Sequence, residues 1–155
     1  MLRIKILAVG NIKENYIKEG IAEYQKRLSR FASVDIKEVS ECASSSKISV
    51  EKIKEVESSR LLEFCDGFVV ALDRSGEEVT SEAISDLLQE SCGKYGGKIT
   101  FIIGGSFGFT KDVLARADKI ISFGKITYPH QLIRMILMEQ IYRAETIINN
   151  ITYHK

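Results

Sequence analysis

The residues best suited to acid–base chemistry lie at the carboxyl terminus. The chain ends Tyr153-His154-Lys155, which combines an aromatic ring, an imidazole and a cation. These side chains could stack on a base, move a proton and hold an anion. Upstream, Glu139 and Arg143 are four residues apart, the spacing at which opposite charges pair on a helix. An ordinary intrahelical ion pair and a frayed chain end remain the alternative at this stage.

Three loops form the second group of candidates: Leu72 to Gly76, Gly104 to Gly108 and Ser122 to Pro129. Each follows an apolar run that is typical of a strand. Glycines let the main chain approach a ligand closely, although the same glycines could simply close a tight turn. Neither a complete G-x-G-x-x-G motif nor a Walker loop is present. The loops therefore predict a small-molecule site that differs from the standard phosphate-binding motifs.

Strand and helix patterns alternate along the whole chain. The pattern predicts strands at Leu2 to Val9, Val34 to Val39, Phe68 to Leu72, Ile99 to Ile103 and Ile120 to Phe123, and helices at Asn15 to Phe31, from Ser49 onward, Thr80 to Tyr95, Thr110 to Ala117 and Pro129 to Asn149. Ser49, Thr80 and Thr110 are predicted helix N-caps, and Asp73 to Gly76 is predicted to be a turn. This order predicts an α/β fold, a mostly parallel sheet with helices on both faces. Ligands of such sheets bind beyond the carboxyl ends of the strands, where the three loops lie.

The last predicted helix is apolar around most of its circumference. Its apolar residues are Leu132, Ile133, Met135, Ile136, Leu137, Met138, Ile141, Ala144, Ile147 and Ile148. Such a helix needs two apolar partners. One partner is the sheet of its own subunit, and the other could be a second copy of the chain, so we expect a homodimer. Complete burial within one subunit is the alternative.

Length and composition define the class of protein. The chain has 155 residues, 45% of them hydrophobic and 28% charged, which predicts one globular domain spanning residues 1–155. We expect a cytoplasmic protein, because the sequence shows neither a membrane-spanning run nor a signal-peptide block. Cys42, Cys65 and Cys92 are far apart, and the two histidines lack metal-ligand spacing. Neither a disulfide framework nor a metal site is predicted.

Charge is unevenly distributed along the chain. The net charge is +1, but residues 1–30 and 111–155 are basic whereas residues 31–110 are acidic. If the two ends meet in space, they form a basic surface that suits RNA. Ordinary solvated faces would explain the same distribution, so charge alone leaves both interpretations open.

Several motifs together carry a resemblance to a known family. They are Leu72-Asp73 leading to Gly76, Ile103-Gly104-Gly105-x-x-Gly108, Thr127-Tyr128-Pro129-His130, Arg134, Glu139-Gln140-x-Tyr142-Arg143-Ala144, and Tyr153-His154-Lys155. With these motifs the sequence resembles the SPOUT methyltransferases, and among them the enzymes that methylate N3 of a pseudouridine in bacterial 23S ribosomal RNA. The resemblance spans essentially the whole chain, and the segment from Pro129-His130 to the terminus is its most specific part.

The resemblance implies a deep carboxyl-terminal trefoil knot, a rare exception to unknotted topology. It also implies a homodimer in which the tail of one subunit reaches the donor site of the other, with the assembled ribosome as substrate. The implied methyl donor is S-adenosylmethionine, without a metal. Carried over to this sequence, the donor-binding residues are Leu72, Gly104, Gly105, Phe123, Gly124, Lys125, Ile126, Thr127 and Tyr128.

A reaction scheme follows for the carboxyl-terminal residues. The acceptor N–H of a uracil-type ring must lose its proton before or during methyl transfer. We expect His154 to accept that proton, and Lys155 or Arg143 to stabilise the negative charge that develops on the ring. Tyr153 would stack on or orient the base, and Glu139 would hold Arg143 in place.

Contacts to RNA phosphates are expected from basic residues near both termini, including Lys13, Lys18 and Arg134. Two other functions fit parts of the sequence. One is a SPOUT methyltransferase that acts on transfer RNA. The other is a non-enzymatic receiver-like signalling domain. A receiver needs an acidic pair after its first strand, where this chain has Gly10-Asn11-Ile12.

Overall fold

A computed structural model describes residues 1–155, with five strands and five helices that alternate along the chain. The strands are β1 Leu2–Val9, β2 Ala32–Val39, β3 Phe68–Glu78, β4 Lys98–Ile103 and β5 Lys119–Ser122, and the helices are α1 Asn15–Leu28, α2 Val50–Leu62, α3 Ser81–Tyr95, α4 Lys111–Arg116 and α5 Leu132–Ile148. The predicted alternation is confirmed, including its order.

The five strands form one parallel sheet in the order β2-β1-β4-β3-β5. Helices α1, α3 and α5 pack on one face, and α2 and α4 pack on the other. The central strands are apolar on both sides, as a sheet covered on both faces requires; in β3 the run from Phe68 to Ala71 is buried. The predicted α/β class is confirmed, and the trefoil knot stays a prediction.

Two of the predicted helix caps are confirmed. The side-chain oxygens of Ser49 and Thr80 each accept a hydrogen bond from the main-chain N–H three residues further on, at the starts of α2 and α3. Thr110 occupies the N-cap position of α4, but its hydroxyl makes no capping hydrogen bond. Its main-chain N–H instead donates to Ser58 Oγ at 3.1 Å, so a neighbouring helix satisfies part of this helix start.

The predicted turn at Asp73 to Gly76 is wrong, because β3 continues through it to Glu78. The pairing of β3 with β5 shifts register between Leu72 and Glu77, so the intervening residues form a bulge. The polar and glycine residues of this segment predicted a turn, because such residues favour turns. Pairing with β5 extends the strand beyond them, and the bulge leaves Asp73 beside the end of β4, among the residues that line a pocket there.

Two helix boundaries also differ from the prediction. Helix α5 begins at Leu132 rather than at Pro129. The carbonyl of Pro129 accepts a hydrogen bond from the N–H of Ile133 at 3.1 Å, so proline lies in the turn that leads into the helix. Helix α1 ends at Leu28 rather than Phe31, and the hydroxyl of Ser29 donates to a carbonyl of its last turn.

Helix α5 packs between α1 and α3 with its most buried side on the sheet. Leu137, Met138, Ile141 and Ala144 are fully buried there. Other apolar residues of the helix, among them Ile136, remain half-exposed. One subunit therefore covers much but not all of the apolar surface of α5. Burial of the remaining part by a second copy of the chain stays a prediction.

Candidate active site

A pocket lies at the carboxyl ends of β3, β4 and β5, at the edge where the sequence predicted ligand binding. Its volume is about 320 Å³, which is within the usual range for small-molecule sites of about 300–1,000 Å³. This strand-end pocket is lined by eight of the nine residues expected to bind the donor: Leu72, Gly104, Gly105, Phe123, Gly124, Ile126, Thr127 and Tyr128. The ninth, Lys125, does not line it, and the carbonyl of Lys125 accepts a hydrogen bond from Arg74 at 3.4 Å.

Two positions in the loops that line the pocket require glycine. A Cβ atom on Gly105 would lie 2.7 Å from Glu57 Oε1, a separation that would force the carboxylate to move. Gly124 has φ +101°, in the left-handed region that favours glycine. Next to it, the hydroxyl of Tyr128 donates to the carbonyl of Phe123 at 3.4 Å. These loops therefore present mainly main-chain atoms and aromatic surface.

Helix α2 supports the glycine loop with two buried polar side chains. Ser58 Oγ accepts from the N–H of Thr110 at 3.1 Å, and Glu57 Oε2 accepts from the N–H of Cys42 at 3.1 Å. The second carboxylate oxygen of Glu57 has no hydrogen-bond partner and faces Gly105. Sequence reading missed both residues, because neither stands near the loop along the chain.

The pocket wall also includes a histidine that sequence reading did not assign. His130 lines the pocket, and its Nε2 lies 3.8 Å from Glu41 Oε1. Its position directly after the Ser122 to Pro129 loop was the available signal. At the mouth of the pocket, Phe107 is 43% exposed and Ile126 is 71% exposed.

The carboxyl-terminal candidates come together in a second group, the tail cluster, which consists of Glu82, Glu139, Arg143, Tyr153 and His154. Arg143 donates from Nη2 and Nε to Glu139 Oε1, at 2.6 and 3.0 Å. The hydroxyl of Tyr153 donates to the same oxygen at 3.1 Å, and the guanidinium lies 4.8 Å from the Tyr153 ring centroid. The pairing of Glu139 with Arg143 is confirmed, and the tail folds back onto it.

The imidazole of His154 lies between a cation and an anion. Its Nδ1 is 3.3 Å from Arg143 Nη1, and its Nε2 is 2.8 Å from Glu82 Oε1. A guanidinium only donates and a carboxylate only accepts. The hydrogen bonds therefore assign the proton to Nε2 and leave the lone pair on Nδ1. In this arrangement Nδ1 is the basic atom, and it faces Arg143.

The electrostatics of the cluster separate the roles of its members. Burial, followed by the nearby Glu139 carboxylate, raises the pKa of Tyr153 to about 12. The phenol thus keeps its proton near neutral pH, which suits a hydrogen-bond donor rather than a proton acceptor. Hydrogen bonds to Glu139 raise the pKa of Arg143, so its guanidinium remains a cation.

Lys155 is the one predicted catalytic residue outside the cluster, since its side chain is exposed and makes no ion pair or hydrogen bond. Sequence reading missed Glu82, which lies 72 positions from His154 along the chain. It also missed Gln140, which donates to Glu139 Oε2 at 2.8 Å and accepts from Ser81 Oγ at 2.6 Å. Contacts between residues distant along the chain bring Glu82 and Gln140 to the cluster, so helical spacing could not reveal them.

A groove of about 390 Å³ lies between the two groups of residues within one subunit. It shares Phe123, Gly124 and Tyr128 with the strand-end pocket, and its far end reaches Gln140 beside the tail cluster. No member of the tail cluster lines the strand-end pocket itself. The two candidate centres are therefore neighbours that do not merge into one cavity.

Comparison with known proteins supplies the family. The family model described as "Predicted SPOUT methyltransferase" matches residues 2–154. The chain belongs to the SPOUT methyltransferase family. It is a methyltransferase, and the resemblance found in its sequence is confirmed.

Curated relatives of this SPOUT methyltransferase carry one shared name. A protein of Carboxydothermus hydrogenoformans is 48% identical over 160 residues, covering 99% of this chain and 100% of its own. A protein of Ruminiclostridium cellulolyticum is 46% identical, and one of Streptococcus pneumoniae is 45% identical, with the same coverage of both chains. Each is named "Ribosomal RNA large subunit methyltransferase H".

Solved structures agree with the fold of this SPOUT methyltransferase. A probable methylase family protein from Haemophilus influenzae superposes with a TM-score of 0.58 at 12% identity, covering 98% of this chain and 70% of its own. A probable methyltransferase from Bordetella pertussis gives 0.56 at 10% identity, covering 92% and 94%. At such low identity the likeness extends to the fold only.

One predicted RNA contact of this SPOUT methyltransferase is wrong. Arg134 is 1% exposed and cannot reach a phosphate on the surface. Its guanidinium pairs with Glu38 at 2.9 Å and donates to the carbonyls of Val9 and Gly10 at 2.7 and 2.9 Å. Burial lowers the pKa of Arg134, and the Glu38 carboxylate opposes that shift. The residue connects α5 to the end of β1.

Lys13 and Lys18 are exposed, as phosphate contacts require.

Two further structural observations concern metals and membranes. No three His, Cys, Asp or Glu side chains come together as a group that could hold a metal ion. None of the five helices combines the length and apolar character needed to cross a lipid bilayer.

Proposed function

We propose that this protein transfers a methyl group from S-adenosylmethionine to N3 of a pseudouridine in 23S ribosomal RNA. Membership of the SPOUT methyltransferases and the full-length relatives named as large-subunit ribosomal RNA methyltransferases support this proposal. We further propose that the whole chain acts as one domain, in a homodimer, on the assembled ribosome. The choice of a pseudouridine N3 as the methyl acceptor rests on the pairing of His154 with Arg143.

That pair presents an acceptor beside a donor. His154 Nδ1 carries a lone pair, and Arg143 Nη1 carries an N–H group 3.3 Å away. The edge of a uracil-type ring offers the complement, an N3–H donor next to a carbonyl acceptor. Such a ring can replace the contact between the two side chains: its N3–H donates to His154 Nδ1, and its carbonyl accepts from Arg143 Nη1. In such an imide the proton that must leave lies next to the oxygen on which negative charge develops, so one side chain of the pair serves each.

The strand-end pocket suits the methyl donor. Leu72, Ile103 and Phe123 supply apolar surface for the adenine ring, and the glycine loops expose main-chain groups for its polar edges. When bound, S-adenosylmethionine supplies an electrophilic methyl group on a sulfonium. The protein must hold the acceptor nitrogen in line with that group, which is a positioning task.

The tail cluster performs the proton transfer in this scheme. His154 Nδ1 accepts the N3 proton of the ring. Arg143 turns its Nη1 from the imidazole to the adjacent ring oxygen, where negative charge develops. Glu139 keeps the guanidinium in place through Nε and Nη2. Tyr153 orients the base, and Lys155, exposed at the chain end, is the alternative cation.

A homodimer would bring the two centres together. Within one subunit the tail cluster lies outside the strand-end pocket, and the pocket mouth exposes Phe107 and Ile126. We infer that the tail of one subunit faces the pocket of its partner. Mixing His154→Ala protein with Gly105→Val protein should then restore methylation that neither variant shows alone. Mixed dimers without activity would contradict a shared site.

The decisive experiment uses a bacterial host that lacks the gene. Mass spectrometry of its digested large-subunit RNA should show the loss of one methylated pseudouridine. Adding purified protein and labelled S-adenosylmethionine to the mutant's ribosomes should restore that nucleoside. If the nucleoside persists in the mutant and no label is transferred, the proposal is wrong. Label on transfer RNA instead would identify a different SPOUT methyltransferase.

A further inference from the structure

The first turn of α3 is joined to the tail cluster by two separate contacts. Glu82 accepts a hydrogen bond from His154 Nε2 at 2.8 Å. One residue earlier, Ser81 donates to Gln140 at 2.6 Å, and Gln140 donates to Glu139 at 2.8 Å. The start of α3 thus contacts both the histidine and the carboxylate that holds Arg143. Glu82 is not among the donor-pocket or tail residues expected from the sequence.

Glu82 and Arg143 together decide which nitrogen of His154 is basic. An isolated neutral imidazole populates two tautomers, and only the form with its proton on Nε2 has a lone pair on Nδ1. Glu82 accepts that Nε2 proton and so selects this form. The pKa of Glu82 is lowered, chiefly by a hydrogen bond from its own main-chain N–H and next by His154. The side chain is therefore an anion near neutral pH.

We propose that Glu82 is a positioning residue for methyl transfer, which fixes the tautomer of His154 and stabilises the imidazolium formed when His154 accepts the N3 proton. The inference rests on the proposed function. A carboxylate that orients a catalytic histidine from its far side is a recurrent arrangement in enzymes. Here the carboxylate comes from a helix whose start is fixed independently by Ser81.

The proton and electron balance is complete within this arrangement. The N3–H bond breaks, its electron pair stays on the ring nitrogen, and the proton bonds to His154 Nδ1. That electron pair then forms the bond from N3 to the methyl carbon, while the carbon–sulfur bond breaks and its electron pair passes to sulfur, which leaves as a neutral thioether. The resulting imidazolium donates from Nε2 to Glu82, and it returns its extra proton to water after the product leaves. The charged groups facing the imidazole are Glu82 and Arg143, with Lys155 adjacent along the chain.

Single-turnover methylation of ribosomes that lack the modification tests this role. Glu82→Gln should slow the step about tenfold and Glu82→Ala up to about a hundredfold, with unchanged affinity for S-adenosylmethionine. Glu82→Asp, which keeps a carboxylate that can accept from Nε2, should recover most of the lost rate.

The matched control is Glu90→Gln, the same change further along α3, where Glu90 pairs with Lys94. It should leave the rate unchanged. If Glu82→Ala lowers the rate while the His154 ring keeps its proton on Nε2, Glu82 only tethers the tail and the proposal is wrong. An unchanged rate would also overturn it.

A second measurement is independent of activity. Nitrogen-15 chemical shifts of the His154 ring, assigned with His154→Ala protein, should show the form protonated on Nε2. Glu82→Ala leaves only Arg143 to favour this form, so a share of the tautomer protonated on Nδ1 should appear. If the wild-type protein methylates no ribosomes but shows this dependence, the proposed function fails and the positioning role stands. A signal indifferent to Glu82 would reject the positioning role itself.

Discussion

The strand-end pocket and the tail cluster solve different chemical problems with different parts of the chain. The pocket is formed by loops at the ends of parallel strands, where Gly105 and Gly124 bring the main chain close. The cluster is formed by charged side chains of α3 and α5 and by the terminal residues. One centre offers apolar surface and peptide groups, and the other offers a connected set of ions.

This contrast determines how each centre responds to substitution. Recognition by the main chain tolerates many side-chain changes but fails where a Cβ atom cannot be accommodated. A network of ions depends on each member, because removing one partner leaves the others uncompensated. Changes in the pocket should therefore alter donor affinity, and changes in the cluster should alter the rate of proton and methyl transfer.

The largest expected effect is on the rate, at the cluster. His154→Ala removes the proton acceptor and should lower single-turnover methylation by about 10²- to 10³-fold. Donor affinity, measured by calorimetry, should stay within about twofold, because apolar surface and main-chain groups of the strand-end pocket hold the donor. Full methylation by this variant with normal affinity for ribosomes would show that His154 is not the base.

Arg134 lies outside both centres and tests whether its buried ion pair is purely structural. Arg134→Met removes a buried cation and leaves Glu38 and two main-chain carbonyls without their partner. We expect a loss of about 3 kcal/mol in the free energy of unfolding, measured by urea denaturation. The salt dependence of ribosome binding should not change. A variant of normal stability that binds ribosomes weakly would restore the phosphate-contact role.

Gly105→Ala tests whether the main chain of the strand-end pocket can accommodate a Cβ atom. The added Cβ would meet Glu57 Oε1 at 2.7 Å and Val9 Cγ1 at 3.3 Å, so overpacking should destabilise the protein by about 2 kcal/mol. Donor affinity should fall, while tail chemistry at saturating donor should change little. The control is Gly93→Ala on α3, where nothing lies within 4 Å of the new Cβ, and it should stabilise the protein slightly.

A double-mutant cycle identifies the cause of the Gly105 effect. Adding Glu57→Ala should relieve the clash, so the two changes together should destabilise less than their sum. Strict additivity would show that the carboxylate does not limit this position.

The smallest expected effect concerns residues outside both centres. Lys13→Ala and Lys18→Ala each remove an exposed cation. Each should weaken ribosome binding a few-fold and reduce the slope of log affinity against log salt by about one. The single-turnover rate at saturating ribosomes should be unchanged. Salt-independent binding by the wild-type protein would contradict an electrostatic contribution from these residues.

Local chemistry explains which features could be predicted from the sequence. Alternation of apolar runs with helical stripes predicted the ten elements and their order, because hydrophobic period follows directly from strand and helix geometry. Ser49 and Thr80 were recognised as caps because capping acts over three residues. The pair Glu139 and Arg143 was recognised from helical spacing.

The errors share one cause. Asp73 to Gly76 has the composition of a turn, but pairing of β3 with β5 extends the strand through it. Arg134 looked like a surface cation, although the end of β1 buries it. In each case contacts with residues distant in sequence overrode a local preference, and local preference was all that the pattern contained.

The sequence by itself therefore determined the α/β class, the family, and most residues of the strand-end pocket and the tail cluster. Only the tertiary structure decided that Glu82 contacts His154, that Glu57 lies beneath Gly105, and that the tail cluster lies outside the pocket. The physical reason is range. Propensity, capping and helical spacing act between near neighbours along the chain, whereas charge pairing and burial depend on distances that only the folded chain defines.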